Sequence, residues 1–166
     1  MIVFDASTLI LLAKAELLET FLAKSKMEAV VPREVAREAC EVKQSLDALV
    51  IQRLIHEKKI TVEPLKERAL CERIRRELGL GAGEAEAIAL AIVKNAQLMA
   101  TDGRNAINAC KLVKVSFTSA LGILVRMNEN GALDQAGALL KLAILEREGR
   151  YKKSLISVVR SRLEVM

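Results

Sequence analysis

The stretch Met1-Ile2-Val3-Phe4-Asp5-Ala6-Ser7-Thr8 decides the fold. Its apolar run, Ile2–Phe4, reads as a short buried strand. A helical pattern begins at Ser7, with Leu9, Leu12, Leu17, Leu18 and Phe21 on one face, and is expected to continue to about Lys24. Asp5 stands between the two, at the carboxyl end of the strand. Open α/β sheets bind their ligands there, in the crevice beyond the strand ends.

Outward from this opening the same alternation recurs. Glu28–Val31 reads as a strand closed by Pro32, and a proline there suits the first turn of a helix expected from about Arg33 to Lys58. Ile60–Val62 is a short extended piece ending at Glu63-Pro64, and a charged helix follows over Leu65–Leu78. The run Gly79-Leu80-Gly81-Ala82-Gly83 stops that helix, and the next starts near Glu84 and ends near Asn95. Gln97–Thr101 reads as a strand with Asp102 at its end, Arg104–Lys111 as a helix, Val113–Phe117 as a further strand and Thr118–Asn128 as a helix. The remainder, Leu133 to Leu163, is helical with a break around Gly149. This order implies an α/β protein: one parallel sheet of about four to five strands, with helices on both faces, in a single Rossmann-like domain over residues 1–166.

Composition supports an ordinary folded domain. The chain has 166 residues, 52% of them hydrophobic, which excludes disorder and provides for a sizeable core. Aromatic residues are only 2%, so that core is aliphatic, as suits helices on a parallel sheet. The same scarcity removes the stacking platforms by which binding modules grip single strands. A net charge of +5 permits contact with nucleic acid, which would then be held by its backbone. Cys40, Cys71 and Cys110 form no CxxC pair and read as reduced, buried thiols. His56 is the single histidine and sits beside Glu57-Lys58-Lys59, which excludes a histidine-built zinc site. Asp5 comes too early for a signal peptide, and no apolar run reaches the length of a membrane span, so a cytoplasmic location is expected.

The chemistry lies in four acids. Asp5 and Asp102 share one local pattern, a carboxylate ending an apolar strand before a helix. In a parallel sheet both open on the same edge. Either could serve as a helix N-cap, but two at one edge point to a site. Glu38 lies three residues after Val35 and four before Val42, close to the apolar stripe of Val35, Ala39, Val42, Leu46 and Leu49. A carboxylate there needs a cation, firm hydrogen bonds or a salt bridge. Glu84 opens a helix after the glycine run, where an acid also complements the helix dipole. Glu86 flanks the other side of the stripe formed by Ala85, Ile88, Ala89 and Ile92, and helical phase does not choose between Glu84 and Glu86. Oxygen ligands without His or Cys suit Mg²⁺ or Mn²⁺, whose usual chemistry is in-line displacement at phosphorus.

Four segments together resemble a known family. They are Ile2-Val3-Phe4-Asp5-Ala6-Ser7, Val31-Pro32-Arg33-Glu34-Val35-Ala36-Arg37-Glu38, Gly83-Glu84-Ala85-Glu86-Ala87-Ile88-Ala89-Leu90-Ala91 and Ala100-Thr101-Asp102. In this order and spacing they resemble the PIN domain, and most closely the prokaryotic PIN proteins that include VapC-type toxins. The resemblance covers residues 1 to about 127, leaving C-terminal helices over 133–163. It implies a metal-dependent endoribonuclease in which Asp5, Glu38, Glu84 and Asp102 bind Mg²⁺ or Mn²⁺, and it selects Glu84 over Glu86. It also implies that Ser7 and Thr101 support the first and last acids, that RNA is the substrate, that the protein is a homodimer, and that an antitoxin protein holds toxin members inactive. Many relatives carry a further acid just after the last motif, where this chain has Gly103-Arg104-Asn105. Arg33, Arg37, Arg104 and Lys111 are the cations near the proposed site in sequence. The C-terminal Leu139, Leu140, Leu142, Ile144 and Leu145 would pack on the domain or on a second subunit.

Three rivals are weighed against this reading. A haloacid-dehalogenase-type phosphatase wants a second Asp two residues after the first, where Ser7 stands. A receiver domain wants a Lys after a later strand, where Thr118-Ser119 stand. A PIN-fold module that has lost catalysis and only binds RNA or a protein partner is the remaining alternative; the carboxylate of Glu38 on an apolar face argues against it.

Overall fold

The strand β1 (Ile2–Phe4) lies at the middle of a five-stranded, all-parallel sheet. The structure is a computed structural model, and it describes residues 1–41 and 44–165. The other strands are β2 (Ala29–Pro32), β3 (Thr61–Glu63), β4 (Leu98–Ala100) and β5 (Phe117–Thr118), and the order across the sheet is β3-β2-β1-β4-β5. All three residues of β1 are fully buried, which stabilises the fold by about 1.5–3 kcal/mol for each large side chain.

Chain direction across the sheet reverses at β1. From β1 the chain moves outward through β2 to β3, then returns over the sheet to β4 on the other side of β1. The crevice between the carboxyl ends of β1 and β4 is therefore the topological switch point. Register sets what stands there. Phe4 pairs with Ala100, and the Asp5 N–H donates to the Ala100 carbonyl at 2.9 Å, so Asp5 lies level with Thr101 and one residue short of Asp102.

Right-handed crossovers place α1 (Ala6–Lys14), α2 (Leu18–Lys24), α3 (Arg33–Cys40) and α4 (Leu46–His56) on one face. They place α5 (Arg68–Leu78), α6 (Ala82–Val93) and α7 (Arg104–Val113) on the other. After β5 come α8 (Ala120–Glu129), α9 (Gln135–Glu148) and α10 (Lys153–Val165). The α9 helix packs on α1 and α8, and α10 closes over α8 and α9. Leu142 and Leu145 of α9 enter the core, whereas Leu140 is 69% exposed.

Three expected elements differ from those observed. The helix read over Ser7–Lys24 is two helices, because Glu16 takes a left-handed conformation (φ 55°). The Leu17 and Glu16 N–H groups then bond back to the Leu12 and Ala13 carbonyls at 2.8 and 3.0 Å, the pattern that closes a helix end. The helix read over Arg33–Lys58 is also two. α3 stops at Cys40, whose carbonyl accepts from the Gln52 side-chain amide at 2.9 Å. Leu46 and Leu49, placed on one stripe with Glu38, are 83% and 58% exposed on α4, and Val42 lies outside the described residues. The strand read over Val113–Phe117 is instead Phe117–Thr118, sharing only Phe117 with that reading, because α7 runs through Val113 and turns at Lys114 (φ 58°).

All three cysteines are free and buried, as their spacing implies, and burial pushes the Cys110 thiol up to about 11. Among the described residues no helix is long and apolar enough to cross a membrane.

Candidate functional site

Asp5 is the hub. It is 3% exposed at the carboxyl end of β1, where its Oδ2 accepts from the Thr101 hydroxyl at 2.8 Å and the Ser7 hydroxyl at 3.1 Å. Ser7 also ties the two strand ends together, since its Oγ accepts the Asp102 N–H at 3.2 Å. Asp102 is held by three donors. Oδ2 accepts from the Thr8 hydroxyl at 2.6 Å and the Ala120 N–H at 3.0 Å, and Oδ1 accepts from the Tyr151 hydroxyl at 2.5 Å.

The other two acids arrive from helices. Glu38 is half-buried on α3, and its Oε1 accepts the Gly83 N–H at 3.2 Å. A Cβ on Gly83 would stand 2.5 Å from Glu38 Oε2, so the carboxylate fits there only because residue 83 has no side chain. Glu84 is half-buried in the first turn of α6, with Oε2 accepting the Gly81 N–H at 3.1 Å. Its Oε1 lies 2.5 Å from where a Cβ on Gly103 would stand. Glu38 thus abuts the residue before Glu84, and Glu84 abuts the residue after Asp102. The four acids form one connected cluster around the switch point.

Electrostatics mark the cluster as unneutralised. Burial, opposed by the Thr101 and Ser7 hydroxyls and added to by the charge of Asp102, leaves the Asp5 carboxyl above its ordinary 3.8. Burial likewise raises Glu38 and Glu84 above 4.5, and the charge of Asp5 adds to both. Among the described residues none of the four forms an ion pair. The salt bridge weighed for Glu38 is absent there, because Arg37, whose charge reaches Glu38, pairs with Glu34. No three of the acidic, histidine or cysteine side chains among the described residues stand close enough to form a ready coordination shell. Each carboxylate instead rests on its own hydrogen-bond donors. The donor set is all oxygen, buried and uncompensated, and such a set fits a hard divalent cation.

Glu86, the alternative to Glu84, has a different task. It is 2% exposed, accepts the Glu34 N–H at 2.7 Å and meets Arg68 at 3.2 Å. It caps the start of α3 from a neighbouring helix and is paired with Arg68. Of the expected cations, Arg33 and Arg104 are exposed, Arg37 is engaged by Glu34, and Lys111 lies over the Phe117 ring at the far end of α7. Asn105 is exposed beside Arg104.

Sequence reasoning missed two members of the site. Thr8 follows Ser7 directly and is fully buried, a hydroxyl facing the sheet edge that the strand-acid-hydroxyl pattern already contained. Tyr151 lies 49 residues beyond Asp102, and no spacing rule links them. Its only signal was being the single tyrosine of a chain nearly without aromatics.

A five-stranded parallel sheet with carboxylates gathered at its switch point defines a nuclease-like α/β domain. The family model DUF3368, described as a PIN domain, matches residues 1–164, and the chain belongs to that family. PIN domains are generally nucleases and typically use divalent metals. No curated protein matches the chain.

Proposed function

We infer that the protein is a metal-dependent endoribonuclease that hydrolyses RNA phosphodiester bonds, with Asp5, Glu38, Glu84 and Asp102 holding Mg²⁺ or Mn²⁺. The observation that carries this reading is Asp5. A carboxylate on a residue only 3% exposed, with only hydroxyl and backbone donors, surrounded by three more acids and no cation, is costly to keep unless a cation joins it. When bound, the metal supplies a water activated at neutral pH and stabilises charge on the leaving oxygen.

The chain's own residues do the rest. Thr101 and Ser7 hold Asp5 on the crevice floor through Oδ2. Thr8 and the Ala120 N–H fill Oδ2 of Asp102, so its Oδ1 is the oxygen with a lone pair to spare. Gly83 and Gly103 let the carboxylates of Glu38 and Glu84 close over the crevice. With Gly103-Arg104-Asn105 after Asp102, no further acid follows the cluster, so any second metal relies on substrate phosphate for ligands.

The narrower reading is that the protein is the toxin of a toxin–antitoxin pair and acts as a homodimer, with residues 1 to about 127 as the PIN core and 133–163 as added helices. It rests on the resemblance to VapC-type proteins. Growth arrest on expression, lost with Asp5→Asn, supports it; unaffected growth opposes it.

Direct titration with Mn²⁺ tests the metal site. Wild type should bind, and Asp5→Asn should weaken binding at least ten-fold. Equal binding by both, or by neither, refutes the assignment. A catalytically silent PIN-fold module is the second reading; the buried, uncompensated Asp5 opposes it.

A further inference from the structure

We propose that the loop joining α9 to α10, Gly149-Arg150-Tyr151-Lys152, together with Lys153 at the start of α10, holds the RNA backbone beside the acidic cluster, with Tyr151 anchoring it on Asp102 and Arg150, Lys152 and Lys153 meeting phosphates. This rests on the ribonuclease reading and names the surface by which that site takes its substrate.

Three observations converge. First, the loop is pinned to the site. The Tyr151 hydroxyl donates to Asp102 Oδ1 at 2.5 Å, and the phenol lies against Gly149, where any Cβ would collide with the ring and with the Leu145 carbonyl.

Second, the anchor is flanked by free cations. Arg150, Lys152 and Lys153 are all exposed, and among the described residues none has a carboxylate partner. On the adjoining helices the cations are engaged: Arg147 meets Glu148, Arg160 meets Glu146 and Arg162 meets Glu129. Between those pairs stand three cations that have no carboxylate partner among the described residues. The neighbours of Tyr151 lie about 3.8 Å away along the chain, so their flexible stems reach phosphates on either side of one seated at the acids.

Third, the site needs them. Four carboxylates repel an incoming polyanion, and only the charge of Arg37, itself paired with Glu34, reaches one of them, Glu38; with Lys111 over the Phe117 ring, the cations of the loop act beside the exposed Arg33 and Arg104. Phosphate contacts supply most of the non-specific affinity of nucleic-acid-binding proteins.

The test measures the affinity of a labelled single-stranded RNA for the Asp5→Asn protein, which cannot cleave it, across a range of salt with Mg²⁺ present. Each phosphate contact contributes about 0.7 to the slope of log affinity against log salt. Arg150→Gln/Lys152→Gln/Lys153→Gln should lower that slope by about 2. Lys24→Gln/Lys26→Gln/Lys114→Gln removes the same charge from exposed positions at the opposite edge of the sheet and should leave the slope unchanged. Tyr151→Phe keeps the cations but frees the loop, and should weaken binding several-fold. Equal slopes for both triple variants, or a loop triple that binds as its parent does, overturns the clamp while leaving the nuclease reading intact. If the parent itself binds no RNA, both fall.

Discussion

Gly83→Ala separates the site from the fold that carries it. An added Cβ would stand 2.5 Å from Glu38 Oε2 and 2.8 Å from its Oε1 and Cδ. Non-bonded carbon and oxygen settle near 3.5 Å, so the carboxylate must retreat by about 1 Å. That movement also lengthens its bond from the Gly83 N–H, now 3.2 Å. The helix itself should gain, because alanine is favoured over glycine within a helix by about 0.5–1 kcal/mol. The gain and the weakened hydrogen bond, worth about 1 kcal/mol, nearly cancel. For a domain of this size the net effect on Tm should stay within about 4 °C. Misplacing one group by 1 Å can cost about 10²-fold in rate, so metal-dependent RNA cleavage should fall by that order. The assay pairs a melting curve with kcat/KM on a labelled RNA. Full activity with an unchanged Tm would refute the claim that Glu38 acts from where it stands. A collapse of Tm would show that residue 83 serves the fold instead.

Two further substitutions test neighbouring claims. Asp5, Glu38 and Glu84 each have a pKa raised above the ordinary 3.8 or 4.5. A carboxyl that holds its proton more tightly when folded stabilises the fold below its unfolded pKa and loses that contribution as pH rises through the folded value. In EDTA, Asp5→Asn should therefore melt above wild type near neutral pH, and the gap should close toward about pH 4. A lower Tm for Asp5→Asn at neutral pH would contradict this. Glu86→Ala leaves the Glu34 N–H and Arg68 without their partner, which should cost about 1–3 kcal/mol and lower Tm by roughly 2–12 °C. Cleavage per folded molecule should persist, and its loss at an unchanged Tm would move Glu86 into the site.

The strand-end acids were legible because a strand, a carboxylate and a helix in immediate succession leave the acid nowhere to go but the sheet edge. β1 and β4 were placed within a residue or two for the same reason, and β2 by the proline that closes it and opens the next helix. The helix ends were not. Glu16, Lys58, Asn95 and Lys114 all take left-handed backbone where glycine would have signalled a stop, and each costs about 1–2 kcal/mol that packing must outweigh. Hence the helix read over Ser7–Lys24 is broken at Glu16, and the strand read over Val113–Phe117 starts four residues before β5, because α7 runs on to its turn at Lys114. Glu38 was found by its phase with Val35 and Ala39, although Leu46 and Leu49, placed on the same stripe, turned out to be exposed on a separate helix. Glu84 and Glu86 could not be parted by phase because α6 is buried almost all round. Only tertiary partners separate them: Gly103 beside one, Arg68 and the start of α3 around the other. Tyr151 was invisible because the link from a loop to a distant strand end leaves no periodic trace.

Cleavage of a mixed panel of structured and single-stranded RNAs, with Mg²⁺, with Mn²⁺ and with EDTA, tests the central claim most directly when wild type is run beside Asp5→Asn. Cutting that needs the metal and vanishes both in EDTA and in the variant is the expected result. Cutting that survives EDTA or the loss of Asp5, or no cutting together with no affinity for either metal, would contradict it.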